Sequence, residues 1–394
     1  VRRGTAAVFT AGFLQGAAFV LVPALGAILR RPPYALGNAS YGMLYFPEIL
    51  GAVLAALAAG SVHRRLGARG LFRLGTAVNA SAMALLVAAS FLSGAPLVAM
   101  LLAETFCLGV GFGFTNAAIN RSASLLFAGA AAAAVTVLNA VIGAATAVSP
   151  LLLDLGARWV SWVSWPALLL VLWLMLFLFP LNEETERPEL GGWRAWRRSM
   201  LPFALAVLIY AICEGSFGSW ANVLVSIDRG FPARTGALAL SLFWGGMTLA
   251  RFVLGAVPDR WLSRRWTYRL APLGMAGCFL LIPHLASAGA LLAAFAAAGA
   301  ACGIYYPYSM SYGLRAHPEE GTQMAGLLVG ALMVGEGIGS SALGPLQDLF
   351  SLGRIYTSSA LWGLPLLWFA WRNSRAPLAR DDTGRGEAES PRYT

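Results

Sequence analysis

Hydrophobic positions in this chain come in long unbroken runs rather than in alternation. Twelve stretches of roughly 18 residues or more are almost wholly apolar, long enough to cross the hydrocarbon of a bilayer as helices. They lie near 5–29, 41–62, 71–93, 96–119, 129–153, 159–180, 199–224, 236–257, 270–287, 290–313, 324–347 and 355–371. No stretch alternates with period two, and Ala, Leu and Gly dominate, so these are helices and not barrel strands. Two connections, Ser93-Gly94-Ala95-Pro96 and Ser287-Ala288-Gly289, are so short that they join only antiparallel neighbours. The first run has no small-residue cleavage site ahead of a soluble segment and reads as a spanning helix. The pattern predicts an all-α membrane protein of twelve transmembrane helices.

The polar positions divide the chain. The longest internal polar stretch, 182–198, holds Glu183, Glu184, Glu186, Pro188 and Glu189, with six spans before it and six after. It reads as a linker between an N-terminal half, 1–181, and a C-terminal half, 199–372. The charged, Pro- and Gly-containing tail 373–394 is expected to be disordered. The halves repeat each other. Gly60 and Gly255, Arg65 and Arg260, and Pro150 and Pro345 each stand 195 residues apart; Gly109 and Gly303, and Arg121 and Arg315, stand 194 apart. Two pseudo-symmetric six-helix halves are the plan of secondary carriers, with the binding site between them near the midplane.

Composition sharpens this. Hydrophobic residues make up 58% of the chain and charged ones 12%, with a mean hydropathy of +0.68. A soluble enzyme, a secreted disulfide scaffold and a disordered protein are excluded. All 28 basic residues are arginine, and the net charge is +10. With the N-terminus inside, the cytoplasmic segments hold 21 arginines and the opposite side 6, with Arg251 inside a span. That bias puts both termini in the cytoplasm of a bacterial inner membrane. Nothing in it calls for nucleic acid. The four cysteines and three histidines are scattered through the chain, in neither disulfide nor zinc spacing. No cofactor or metal is expected. Without lysine there is no phosphate-binding loop of the ATP-driven kind, and no Ser/His/Asp set supports an enzyme.

At this point the sequence resembles the major facilitator superfamily. Its loop between helices two and three has the pattern Gly-x-x-x-Asp-Arg-x-Gly-Arg-Arg. The second half reads Gly255-Ala-Val-Pro-Asp259-Arg260-Trp-Leu-Ser-Arg264-Arg265, and the first reads Gly60-Ser-Val-His63-Arg64-Arg65-Leu-Gly67-Ala-Arg69. The second copy keeps the Asp; the first has Arg64 in its place. The resemblance covers nearly the whole chain and implies gating and helix-pairing roles for Arg65, Asp259 and Arg260. Three further runs look like the fucose-permease branch: Tyr41-Gly42-x-Leu44-x-Phe46-Pro47, Glu214-x3-Gly218-x-Trp220 and Phe243-Trp244-x3-Thr248-x2-Arg251. That branch is typically proton-coupled and carries acids in helices one and four. Glu104 matches in helix four, whereas helix one offers only Gln15. Exporters of the superfamily often carry Gly-Pro in helix five; Ser149-Pro150 departs from it and argues against drug–proton antiport.

Ionisable groups in lipid are costly and mark function by default. Four glutamates lie within spans: Glu48, Glu104, Glu214 and Glu336. A buried carboxylate holds its proton to higher pH than one in water, so Glu104, Glu214 and Glu336 are the candidates for proton coupling. Glu104 and Glu214 are expected to face a central cavity. Glu336 has a second reading, an ion pair with Arg251, and Glu48 ranks lowest. The candidate cavity residues are Gln15, Thr115, Asn116, Asn120, Asn139, Tyr210, Trp220, Trp244, Tyr305 and Tyr308. Their alternatives are packing for the aromatic groups and helix–helix hydrogen bonding for the polar ones.

The reading is a monomeric carrier for a small-molecule substrate, working by alternating access, first as proton-coupled uptake of a hydroxylated or sugar-like solute. Proton-driven efflux of an amphipathic compound is the alternative within transport. A non-transporting membrane sensor or assembly factor is the alternative outside it.

Overall fold

A computed structural model describes residues 2–126, 131–178, 197–258 and 260–375. Among them there is no strand. The helices are α1 (Arg2–Phe19), α2 (Leu21–Leu29), α3 (Asn38–Met43), α4 (Tyr45–Ala89), α5 (Gly94–Leu126), α6 (Ala131–Trp159) and α7 (Ser164–Leu178). They continue as α8 (Leu201–Val223), α9 (Ala233–Ala256), α10 (Arg264–Leu281), α11 (Ala288–Ala316), α12 (Gly321–Ser341), α13 (Leu343–Leu346), α14 (Leu352–Ser359) and α15 (Gly363–Asn373).

Eight helical stretches among the described residues are long and apolar enough to cross a membrane. The sequence pattern predicts twelve, and the difference has local causes. Asn38–Ala89 counts as one stretch but is interrupted at Gly67, whose φ of +72° is the left-handed conformation glycine tolerates. Glu48 and Asn79, on either side of Gly67, both abut the same part of α5, at Gly109 and Gly111 respectively. The chain therefore doubles back there. The other three predicted spans are short or broken: α7 has 15 residues, α10 starts with a pair of arginines, and 352–373 is divided between α14 and α15.

Close approach sets the packing. A Cβ on Gly109 would meet the Glu48 carbonyl oxygen at 1.8 Å, and one on Gly299 would meet that of Phe243 at 1.8 Å. Gly109 and Gly303, 194 apart, make matching contacts. Gly109 sits on Glu48 and Ala52 of α4, and Gly303 sits on Met247 of α9. Small residues let helices approach closely in lipid, where burial from water no longer drives association.

The start of α1 and the end of α15 lie on one face, here the terminal face; the opposite one is the far face. Hydrogen bonds between the two halves gather toward the far face. Arg31 donates to the Ser226 carbonyl at 2.9 Å, Asn222 to that of Ala24 at 2.6 Å, and Tyr45 to that of Ser219 at 3.1 Å. Asn38 donates to Asp348 at 3.0 Å and is itself held by Arg30. Gly42 and Gly344 bring the two backbones together: a Cβ on Gly42 would lie 2.8 Å from the Gly344 Cα.

Candidate functional site

A cavity opens between the halves, beneath these contacts. Its walls come from α1 and α2 (Phe19, Pro23), α4 (Tyr45, Glu48), α5 (Phe112), α8 (Gly215, Ser219), α9 (Trp244) and α12 (Glu336, Ser340). Tyr45 and Ser219 both line the cavity and bond to each other across the halves, so they roof it on the far side. Its volume is about 30 Å³. In this state the cavity is narrow. The Phe19 ring leans on Phe112 at 5.6 Å and on Trp244 at 6.0 Å, edge to face with the latter.

The walls follow the internal repeat. Val20 and Gly215, Pro23 and Gly218, and Ile49 and Trp244 all line the cavity, and each pair is 195 residues apart. Equivalent positions of the two halves thus face one another.

Of the candidate residues, the structure brings Glu336 and Trp244 to this wall. Glu48, ranked lowest from sequence, stands there too. Only 8% of it is exposed. It lies within electrostatic reach of Glu104 on one side and Glu336 on the other.

Glu104 does not line the cavity. It is fully buried, and neither carboxylate oxygen has a hydrogen-bond partner. The reason is the helical period. Gly111 and Thr115, seven and eleven residues on, share its face of α5 and pack against Asn79 and Gly75. That turns Glu104 toward the returning limb of α4, behind Glu48. Glu214 is also off the wall; it is buried in α8 beside Tyr210 and within reach of Arg251. Arg251 is exposed and acts on Glu214, and no ion pair joins it to Glu336, which instead feels Glu214 and Glu48.

The other polar candidates are engaged elsewhere. Asn79 donates to Gln15 at 3.2 Å and to Thr115 at 3.0 Å, a buried cluster inside the N-terminal half. Asn120 bonds Asn116 one turn before it. Asn139 is exposed and bonds the Val135 carbonyl of its own helix. Trp220 donates to the Ser340 carbonyl at 2.8 Å and packs edge-on against Tyr41. Tyr210 stacks on Tyr305 at 5.4 Å, Tyr305 bonds the Leu366 carbonyl, and Tyr308 sits edge-on to Tyr268. This aromatic stripe packs within the C-terminal half. Arg65 and Arg260 are exposed, whereas Asp259 lies outside the described residues, as do 182–196 of the linker and 376–394 of the tail. The cysteines are free.

Phe19, Phe112, Tyr45 and Ser340 were not singled out from sequence. The 195-residue register would have found part of this wall, because it pairs lining positions across the halves.

The family profile of the Major Facilitator Superfamily matches residues 4–340. The chain belongs to this superfamily. Solved structures of the superfamily fold agree along most of its length. The nucleoside transporter NupG superposes with a TM-score of 0.75 at 13% identity, over 94% of this chain and 99% of that one. The partially occluded inward-open xylose transporter XylE from E. coli gives 0.69 at 13% identity, over 94% and 97%. FucP, in its outward conformation, gives 0.60 at 16% identity, over 94% and 98%. No curated protein matches the chain in sequence. At these identities the likeness is one of fold; NupG and XylE are described as transporters, and FucP as a Major Facilitator Superfamily transporter.

Proposed function

We propose that this superfamily member carries a small polar solute across a bacterial inner membrane by alternating access, coupled to protons. The observation that carries the reading is the cavity itself. It lies between two halves, is lined by repeat-related positions, and is roofed on the far side by contacts that part when the halves rock. The eight long helices, the hairpin at Gly67 and the three shorter segments support a reading of twelve passes in two six-helix halves, 1–181 and 199–372. The arginine bias assigns the terminal face to the cytoplasm. The structure then corresponds to the state sealed toward the outside.

Coupling rests on buried acids. Glu48 and Glu336 meet the solute, while Glu104 and Glu214 stand behind them and exchange protons with them as the surroundings change. A further solved structure of the same fold is described as a D-xylose–proton symporter, which favours proton-coupled uptake as the first reading. A second reading, efflux of an amphipathic compound, draws on the aromatic walls of the cavity. The monomer is the working unit, since each half supplies one side of the site.

The test is reconstitution. Solutes that raise the melting temperature of the purified protein are offered, radiolabelled, to proteoliposomes. Exchange of labelled for unlabelled solute, and accumulation driven by an imposed pH gradient, are expected. Binding without exchange points to a sensor on a carrier scaffold.

A further inference from the structure

We infer that the cavity selects a solute bearing a cationic nitrogen, held between Glu48 and Glu336 with its apolar body against Phe19, Phe112 and Trp244. The inference rests on the transport reading above and names its substrate class.

Charge is the first argument. The lining residues include two carboxylates, one from each half, and no basic residue. Glu48 is more than nine-tenths buried, yet no protein donor bonds it and neither of its oxygens is sealed from the cavity. Glu104, with both oxygens unpartnered, lies behind it, and the Arg251 guanidinium acts on Glu214 instead. A carboxylate in an apolar site needs a proton or an opposite charge. The open side of Glu48 and Glu336 is the cavity, so the opposite charge comes from its occupant.

The second argument is what the cavity lacks. A sugar needs many free hydrogen-bonding groups, and here they are already spent. The Tyr45 hydroxyl is bonded to Tyr41 at 2.7 Å and to the Ser219 carbonyl, and the Ser219 hydroxyl to Ser340 at 2.7 Å. What remains is two acids without protein donors, set among the aromatic side chains of Phe19, Phe112 and Trp244. Aromatic faces and carboxylates together are the chemistry that holds an organic ammonium.

With the cation absent, protons neutralise Glu48 and Glu336; when it enters, its charge takes their place and the protons pass to Glu104 and Glu214 behind them, so that cation and proton travel together.

The test uses permanent cations, so that ligand charge does not vary with pH. The purified full chain is melted with choline and with benzyltrimethylammonium, each beside the neutral tert-butyl analogue of the same shape, and with D-xylose and uridine. The cations are expected to stabilise the protein with affinities about tenfold or more above their neutral analogues. Glu48→Gln and Glu336→Gln should each erase that preference. Trp244→Leu, which leaves both acids in place, should weaken both members of a pair and guards against misfolding of the Gln variants. Stabilisation by xylose or uridine without any by the cations overturns the inference, as does equal binding of cation and analogue, or a cation preference that survives both Gln substitutions. No stabilisation by any of these compounds counts against it too. Exchange in proteoliposomes separates the two levels. A cation that binds but never exchanges removes the transport reading and leaves the cation site; a neutral solute that exchanges does the reverse.

Discussion

Glu104 is a carboxylate with no hydrogen-bond partner, fully buried one helix-layer behind the cavity wall. Its substitution by Gln keeps the shape and removes the titration. Proteoliposomes with Glu104→Gln are expected to lose accumulation driven by a pH gradient, down to the equilibrium ratio, while exchange of labelled for unlabelled solute persists. Full gradient-driven uptake in the variant moves coupling to Glu48, Glu214 or Glu336. Loss of both activities together with a lower folded yield makes Glu104 structural. Asn79 gives a contrasting case. It donates to Gln15 and Thr115 far from any opening, so Asn79→Ala breaks two buried bonds and leaves Gln15 short of a partner. About 1–2 kcal/mol of stability should be lost, at the upper end for polar contacts between membrane helices. Thermal melting in detergent reads this, and the ratio of uphill uptake to exchange stays at the wild-type value.

Helices pack here through glycines whose missing side chains are filled by a neighbouring backbone. Gly299→Ala puts a methyl within 1.8 Å of the Phe243 carbonyl oxygen, so α9 and α11 must separate. A loss of about 1–3 kcal/mol is expected for such overpacking. At Gly277 of α10 a Cβ meets nothing within 4 Å, and Gly277→Ala should leave the melting temperature unchanged or raise it slightly. Equal effects at the two positions would mean that close approach does not set this packing. The helices were legible in the sequence because lipid demands long apolar runs, and the hairpin at Gly67 falls in the arginine-rich break between two of them. Which way each helix turns was not legible. In water an apolar stripe points to the core; in lipid both sides are apolar, and α5 presents Glu104, Phe112 and Asn116 with no polar face to orient them. That is why Glu104 and Glu214 were expected on the wall and Glu48 was not. The one orienting signal was the repeat, since Ile49 and Trp244 meet as equivalents across the cavity.

At the scale of the whole molecule the two halves touch most specifically at the far face. Removing one contact there should tilt the balance between the two ends. Asn222→Ala deletes the bond to the Ala24 carbonyl, worth about 0.6–1.7 kcal/mol between membrane helices. That is a shift of roughly 3- to 18-fold toward states open on the far side. Spin labels on the two halves near positions 30 and 230 should report the longer distances by pulsed dipolar spectroscopy; an unchanged distance distribution would show that this bond is no part of the seal. The seal has a further property. Arg31, Asn222 and Tyr45 supply three of its donors, and their acceptors are main-chain oxygens of residues 226, 24 and 219, whereas Asn38 and Asp348 pair side chain with side chain. A carbonyl is present whatever the side chain. Over evolutionary time the acceptor positions can drift as long as the backbone keeps its path, whereas the donors cannot. Among related sequences these three bonds should therefore be written on one side only, with Arg31, Asn222 and Tyr45 held fixed and no covarying partner to reveal what they grip, while Asn38 and Asp348 should change together.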